Sequence, residues 1–361
     1  MAREIKYWLA LGRARGIGNL TYKALIDELR EPESVFEAPL KRLEEIPGIG
    51  KRLALSIKGF KDWEWVEKET DLIKKHAVKF LTIRDSDYPE LLLSIPDPPP
   101  YLYVKGTICK EDSNALAVVG TRLPTPYGIA ATEKICRELA GCCGITIVSG
   151  MARGIDSAAH RGAIAAKGKT IAVLGSGIDV IYPPENKGLY KDIASNGAVI
   201  SEFPMGTPPL AANFPQRNRI ISGLAMGVLV AEASLRSGSL ITARLALDYG
   251  REVFALPGSI TSSRSKGTNK LIKDGAKLVE DTRDILEELR IPYKTGTEIT
   301  SSERLSAEEE QIMNLLDEPC IIDSIIQKTG LPVSKVSSVL LNMELKGLIQ
   351  QQAGKQFIRR I

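Results

Sequence analysis

What most constrains this chain is a series of short apolar segments, several of them closing on glycine, with stretches of helical spacing between them. Six fall at 115–120, 145–150, 170–175, 199–202, 227–232 and 251–257. A strand that is apolar at nearly every position, rather than at alternate ones, has to be covered on both faces. Strands alternating with helices build βαβ units. The expected fold class is therefore α/β, around a buried parallel sheet.

The rest of the chain flanks that core. A proline-rich stretch at 95–100 (IPDPPP) breaks helix and removes backbone donors. Before it, apolar residues at 7–11, 22–29 and 53–57 recur with helical spacing. A polar, turn-rich stretch at 291–302 marks a second boundary, and an α-then-β unit follows. The expected domains are 1–80 (helical), 81–290 (sheet), 291–304 (linker) and 305–361. The 361 residues suit two or three domains of roughly 100–200 residues each.

Composition excludes several classes. With 43% hydrophobic and 25% charged residues, a large disordered fraction is not expected. No run of 18 apolar residues and no apolar leader occur, so neither a membrane span nor secretion is expected. The five cysteines form no Cys-x-x-Cys pair, and the two histidines, His76 and His160, lie far apart. No metal site, disulfide framework or cofactor is expected, and a reducing cytoplasm fits. Formal charge is +4, spread as +3 over 1–80, +2 over 81–304 and −1 over 305–361. Any nucleic-acid site must therefore be built locally rather than by bulk charge.

The helical block contains a repeat. Gly16-Ile17-Gly18 and Gly48-Ile49-Gly50 lie 32 residues apart, with Arg13, Arg15, Lys51 and Arg52 beside them. The pair resembles helix-hairpin-helix (SAM-like) motifs, whose glycines turn tightly and leave N–H groups for a DNA phosphate. Glycine that simply joins two helices is the equal alternative.

The ends of the expected strands carry the chemistry, because parallel sheets bind ligands at their carboxyl ends. Gly120, Thr121 and Arg122 close the first run. Ser149, Gly150, Met151, Ala152, Arg153 and Gly154 close the second, and Gly175, Ser176 and Gly177 the third. A later segment brings Arg217, Asn218 and Arg219, and Ser237 and Gly238 offer a further cradle. Backbone donors with bidentate arginines suit a chain of phosphates. Two decoys fail. Gly168-Lys169-Thr170 lacks the first glycine of a Walker A loop and leads from helix to strand. Gly175-Ser176-Gly177 supplies only two glycines of a dinucleotide fingerprint. Asp156 and His160 share a helical face and are expected to form a structural hydrogen-bonded pair.

In order, VVGTR, SGMARGID, AVLGSGIDVIYP, FPQRNRIISGL, RSGSLITA and VFALPG resemble the DprA (Smf) family of bacterial DNA-processing proteins over about 85–285. The resemblance implies an extended Rossmann-like domain that binds single-stranded DNA during natural transformation. It implies a homodimer, and hand-over of the strand to the recombinase RecA. It makes Arg122 a principal DNA contact, with 150–154, 175–177 and 217–219 along the rest of the track. Where some relatives carry lysines, this chain has Pro184 and Ala211, with Lys187, Arg217 or Arg219 as substitutes. Leu271, Ile272 and Leu278 are the candidate dimer residues.

The last 57 residues read as helix 307–316, helix 321–328, helix 333–346 and hairpin 348–360, the order of a winged helix. Its third helix and hairpin carry few cations (Lys335, Lys346; Lys355, Arg359, Arg360), so at most weak duplex DNA or partner contacts are expected. The competing reading is a Rossmann-like nucleotide hydrolase similar to the phosphoribohydrolases, with Glu232 and Arg236 nearest to its catalytic pair. Against it, the double-glycine loop is missing and no coherent catalytic set is present, so a binding protein rather than an enzyme is expected.

Overall fold

The computed structural model describes residues 2–292, 306–316, 319–345, 348–352 and 356–359. The chain divides into two compact units, Met1–Lys294 and Thr295–Ile361.

The first unit is built on nine strands: β1 (Lys79–Thr82), β2 (Tyr101–Gly106), β3 (Ala115–Val119), β4 (Thr146–Ser149), β5 (Thr170–Val173), β6 (Ala198–Ser201), β7 (Gly227–Val230), β8 (Glu252–Ala255) and β9 (Lys277–Leu278). Their order across the sheet is β1-β2-β6-β5-β4-β3-β7-β8-β9. From β6 to β9 all neighbours are parallel. The six expected strands are β3 to β8. Three strands were not expected: β1 and β2, added antiparallel on one edge, and the two-residue β9 on the other.

The unbroken apolar runs have the expected cause. Leu116 and Val118 pack with Ile135, Leu139, Ile155 and Ala159 of helices Pro126–Cys142 and Ile155–Ala165. Ala115, Ala117 and Val119 point the other way, towards Ile220, Ile221, Ala243 and Ala246 of helices Asn213–Gly223 and Ser239–Asp248. Successive side chains alternate in direction, yet both faces are dry.

Six helices precede the sheet: Ala2–Arg13, Asn19–Leu29, Pro32–Glu37, Leu40–Glu44, Lys51–Lys58 and Trp63–Lys75. Their core is continuous with that of the sheet. Trp8 stacks on Tyr22 at 5.7 Å, and Tyr22 meets Tyr101 of β2 edge-on at 6.4 Å. The buried Glu69 accepts from the Tyr103 hydroxyl at 2.7 Å and from the Met205 N–H at 2.8 Å. The two glycine hairpins lie against each other, with Ser56 Oγ donating to the Arg15 carbonyl at 2.9 Å. Gly16 and Gly48 have φ of +88° and +83°, the left-handed conformation that favours glycine.

In the second unit, helix Ala307–Met313, β10 (Cys320–Ile321), helix Ile322–Thr329, helix Val333–Leu345, β11 (Ile349–Gln352) and β12 (Gln356–Arg359) follow in winged-helix order. β10, absent from the sequence expectation, adds to the edge of the hairpin. Ile312, Leu316, Ile325, Val336, Leu340 and Phe357 make its core. Lys335 is paired with Glu308 at 3.0 Å. Lys346, Lys355 and Arg360 lie outside the described residues, as does most of the expected linker.

Candidate nucleic-acid interface

After β3 the chain lays down β4, β5 and β6 on one side, then returns past β3 to place β7, β8 and β9 on the other. Connections leaving neighbouring strands in opposite directions open a crevice at their carboxyl ends. Here that crevice is a groove of about 680 Å³. Gly120, Thr121 and Arg122 follow β3 into it, Ser237 and Gly238 reach it after β7, and helix Asn213–Gly223 forms a wall with Phe214, Arg217 and Asn218.

The two loops at the switch point are tied together. The Thr121 N–H donates to the Glu232 carbonyl at 2.7 Å, and the Ile155 N–H to the Thr121 carbonyl at 3.2 Å. Gly154 sits at φ +78°, where a Cβ would collide with the Thr121 carbonyl. Buried Asp156, at the start of the next helix, accepts from the Gly150 and Ala152 N–H groups at 3.2 and 3.3 Å. Those amides are thereby turned inwards to the carboxylate. Met151 is fully buried at φ +54°, and the Ser149 and Ser176 hydroxyls are spent on the Val118 and Val180 carbonyls.

Arg122 is exposed and has no carboxylate within ion-pairing distance among the described residues. Its guanidinium lies 5.3 Å from the centre of the Phe214 ring. Phe214 in turn lies 5.8 Å from Tyr182, which is 38% exposed. A cation over one aromatic ring beside a second is a surface that takes a phosphate and a base side by side. Neither Phe214 nor Tyr182 was singled out from the sequence as a contact. The signal was present in FPQRNR and VIYP, but no local pattern says that these aromatics meet.

The other two arginines of the expected track behave differently. Arg217 is buried, donating Nη1 to the Gly150 carbonyl at 2.8 Å and also to the Val173 carbonyl. Burial pushes its pKa down to about 10, against the pull of Asp156 and with the push of Arg122. Desolvation raises the Asp156 carboxyl, while Arg217 and the two amides hold it down. The pair is close to neutral as a unit, so Arg122 supplies the groove's surplus positive charge. Arg219 is not brought to the groove. Its guanidinium is buried against Glu202 and lies 3.4 Å from Asp97, and Glu202 is itself pushed up to about 7, chiefly by burial.

Of the remaining candidates, Ala152, Arg153, Gly175 and Ser176 line an adjoining pocket that shares Arg122, Tyr182 and Phe214. Gly177 packs under the Pro204 carbonyl. Ala211 stands on the groove wall, whereas Lys187 is exposed at the start of helix Lys187–Asn196, away from the groove lining. Gly18 and Gly50 precede helices Asn19–Leu29 and Lys51–Lys58 with open space around their Cα atoms, and Lys51 is exposed. Leu271 and Ile272 are half-buried, and Leu278, on edge strand β9, is 38% exposed.

The expected Asp156–His160 pair does not form. His160 Nδ1 faces Thr170 Oγ1 at 2.6 Å, and that hydroxyl spends its proton on the Ile147 carbonyl. The ring must therefore donate from Nδ1. Glu232 is also committed: it accepts from the Thr125 N–H at 2.8 Å, at the start of helix Pro126–Cys142.

The family model described as DNA recombination-mediator protein A matches residues 79–290, and that of the DprA winged helix domain matches 298–355. "Protein Smf" of Synechocystis sp. is 35% identical over 99% of both chains. "DNA processing protein DprA" of Streptococcus pneumoniae is 46% identical over 60% of this chain and 77% of its own. The X-ray structure of DNA processing protein A from Streptococcus pneumoniae matches with a TM-score of 0.69 at 38% identity, covering 78% of this chain and 97% of that one. DNA processing protein A from Helicobacter pylori, whose structure is described for its single-stranded DNA binding mode, matches with a TM-score of 0.53 at 33% identity, covering 60% and 97%. With family models matched over 79–290 and 298–355 and a relative 35% identical along nearly its whole length, this chain belongs to the DprA (Smf) family of DNA-processing proteins.

Proposed function

We propose that the groove binds single-stranded DNA, with phosphates at Arg122 and bases on Phe214 and Tyr182. The observation that carries this reading is the unpaired Arg122 guanidinium poised over Phe214 at the switch point of the sheet. A single strand offers phosphate and an unstacked base together, which duplex DNA does not. The relative from Helicobacter pylori supports it. Glu232 and His160 are both committed to structural bonds, which supports a binder rather than an enzyme acting on the strand.

Around this core, the family resemblance supports a wider role. The bound strand is held during natural transformation in the cytoplasm and passed to RecA, by a homodimer joined near Leu271, Ile272 and Leu278. The uncapped helix starts behind Gly16–Gly18 and Gly48–Gly50, with Lys51, offer accessory phosphate contacts, and the winged helix at most weak duplex contacts.

Fluorescence anisotropy with labelled single-stranded and duplex oligonucleotides tests the central claim. Arg122→Ala, with folding intact, is expected to weaken single-strand binding and to lower the slope of log K against log salt by about 0.7, the loss of one phosphate contact. An unchanged slope and affinity would remove the groove from consideration. Released base on incubation with nucleotides, lost in Glu232→Gln, would revive the hydrolase reading.

A further inference from the structure

Arg122 lines a second groove as well. On the far side of the 150–154 loop, a groove of about 420 Å³ is lined by Arg122, Leu123, Arg153, Arg161, Glu185 and Arg264, among others. All four arginines are exposed. Only Arg153 is paired, with Glu185; Arg161 and Arg264 have no ion pair among the described residues. Each comes from a different part of the chain: the loop after β3, the loop after β4, helix Ile155–Ala165 and the loop that follows β8. In a chain whose surplus charge is only +4, four guanidinium groups converging on one groove with a single carboxylate among them is a local concentration of charge. Leu123, 73% exposed beside them, gives the groove an apolar edge of the kind a base can lie against.

We propose that this groove carries the continuation of the strand held at Arg122, so that the DNA passes over Arg122 from one groove into the other. This rests on the single-stranded DNA reading of the first groove and extends it. A strand is the occupant that the geometry favours, because Arg122 belongs to both grooves and a flexible polyanion can turn over it without a break in its phosphate contacts. Arg153 and Glu185 sit at the crossing, where the strand would compete with the carboxylate for the guanidinium.

The length of the probe separates the two grooves. A thymidine oligonucleotide of about six nucleotides fits within one groove, and one of about twenty exceeds the roughly 4–16 nucleotides that a single site covers. The double variant Arg161→Ala/Arg264→Ala changes only exposed side chains. It is expected to leave the short probe unaffected and to lower the salt slope for the long probe by about 1.4, two phosphate contacts. Arg161→Lys/Arg264→Lys is expected to restore that slope. Arg122→Ala is the control and should weaken both probes. If Arg122→Ala acts on both probes while the double variant binds the long one as wild type does, the second groove is not part of the track. If Arg122→Ala is silent on both, the first reading falls and the extension falls with it.

Discussion

Phe214 is half-buried with one face under the Arg122 guanidinium and its edge against Gly175, so the ring orders the cation as well as offering a base a surface. Phe214→Leu keeps apolar bulk against Gly175 but removes the π face. Loss of one stacked base costs about 1–3 kcal/mol, so single-strand affinity should fall by roughly five-fold or more in an anisotropy titration, with Phe214→Trp recovering it. A Leu variant that binds as wild type does would mean that no base stacks there. His160 makes a prediction of a different kind. Burial pushes its pKa down to about 3 from the ordinary 6.5, because Nε2 has no partner to stabilise a proton. The unfolded chain takes up that proton first. The contribution is therefore complete above the unfolded value and drains away as pH falls below it, by up to about 1.4 kcal/mol per unit. Denaturant midpoints should fall from about pH 7 to about pH 5 more steeply in wild type than in His160→Leu. Glu202 titrates with the opposite sign but is common to both proteins and cancels. Parallel midpoint curves would count against a buried neutral imidazole.

At the scale of elements, helix Asn213–Gly223 explains why one arginine of the RNR motif faces the groove and the other does not. Positions 214, 217, 218 and 221 fall on one helical face, and all four line the groove; position 219 is turned about 200° from 217. The sequence expectation put Arg217, Asn218 and Arg219 together along one phosphate track, and helical spacing would have separated them. The same scale shows what else was legible. Strands β3 to β8 announce themselves because burial on both faces confines polar residues to their end positions. β9 has only two residues, β1 is buried only in its second half, with Lys79 exposed, and β2 follows directly on the proline stretch that was read as a boundary. Arg217 joins the helix to the ends of β4 and β5, so its loss should be structural. Arg217→Met leaves Asp156 buried without its counter-charge, an effect of about 3–5 kcal/mol. A large drop in melting temperature is expected, and Asp156→Asn/Arg217→Met should recover part of it. If the double variant is no more stable than the single one, the two groups are not coupled.

At the scale of the whole molecule, β9 leaves an open edge carrying Leu278, a ready place for a second copy to pair. On the proposed homodimer, Leu278→Lys should shift sedimentation towards monomer while single-strand affinity for the shortest probes is retained; a dimer that persists would place the contact elsewhere, and a monomeric wild type would overturn the dimer itself. The opposite flank has a different consequence. Trp8, Tyr22 and Tyr101 pack ring against ring through the join between the helical block and the sheet, and Glu69 bonds to both Tyr103 and Met205 across it. The glycine hairpins are thus held at a fixed distance from the groove rather than on a tether. A strand seated in the groove would meet them at an effective concentration set by a rigid gap, with no linker entropy to lose. On the proposed accessory role of the hairpins, strands too short to bridge that gap gain nothing from them and longer ones gain abruptly, so that affinity would rise in a step with strand length.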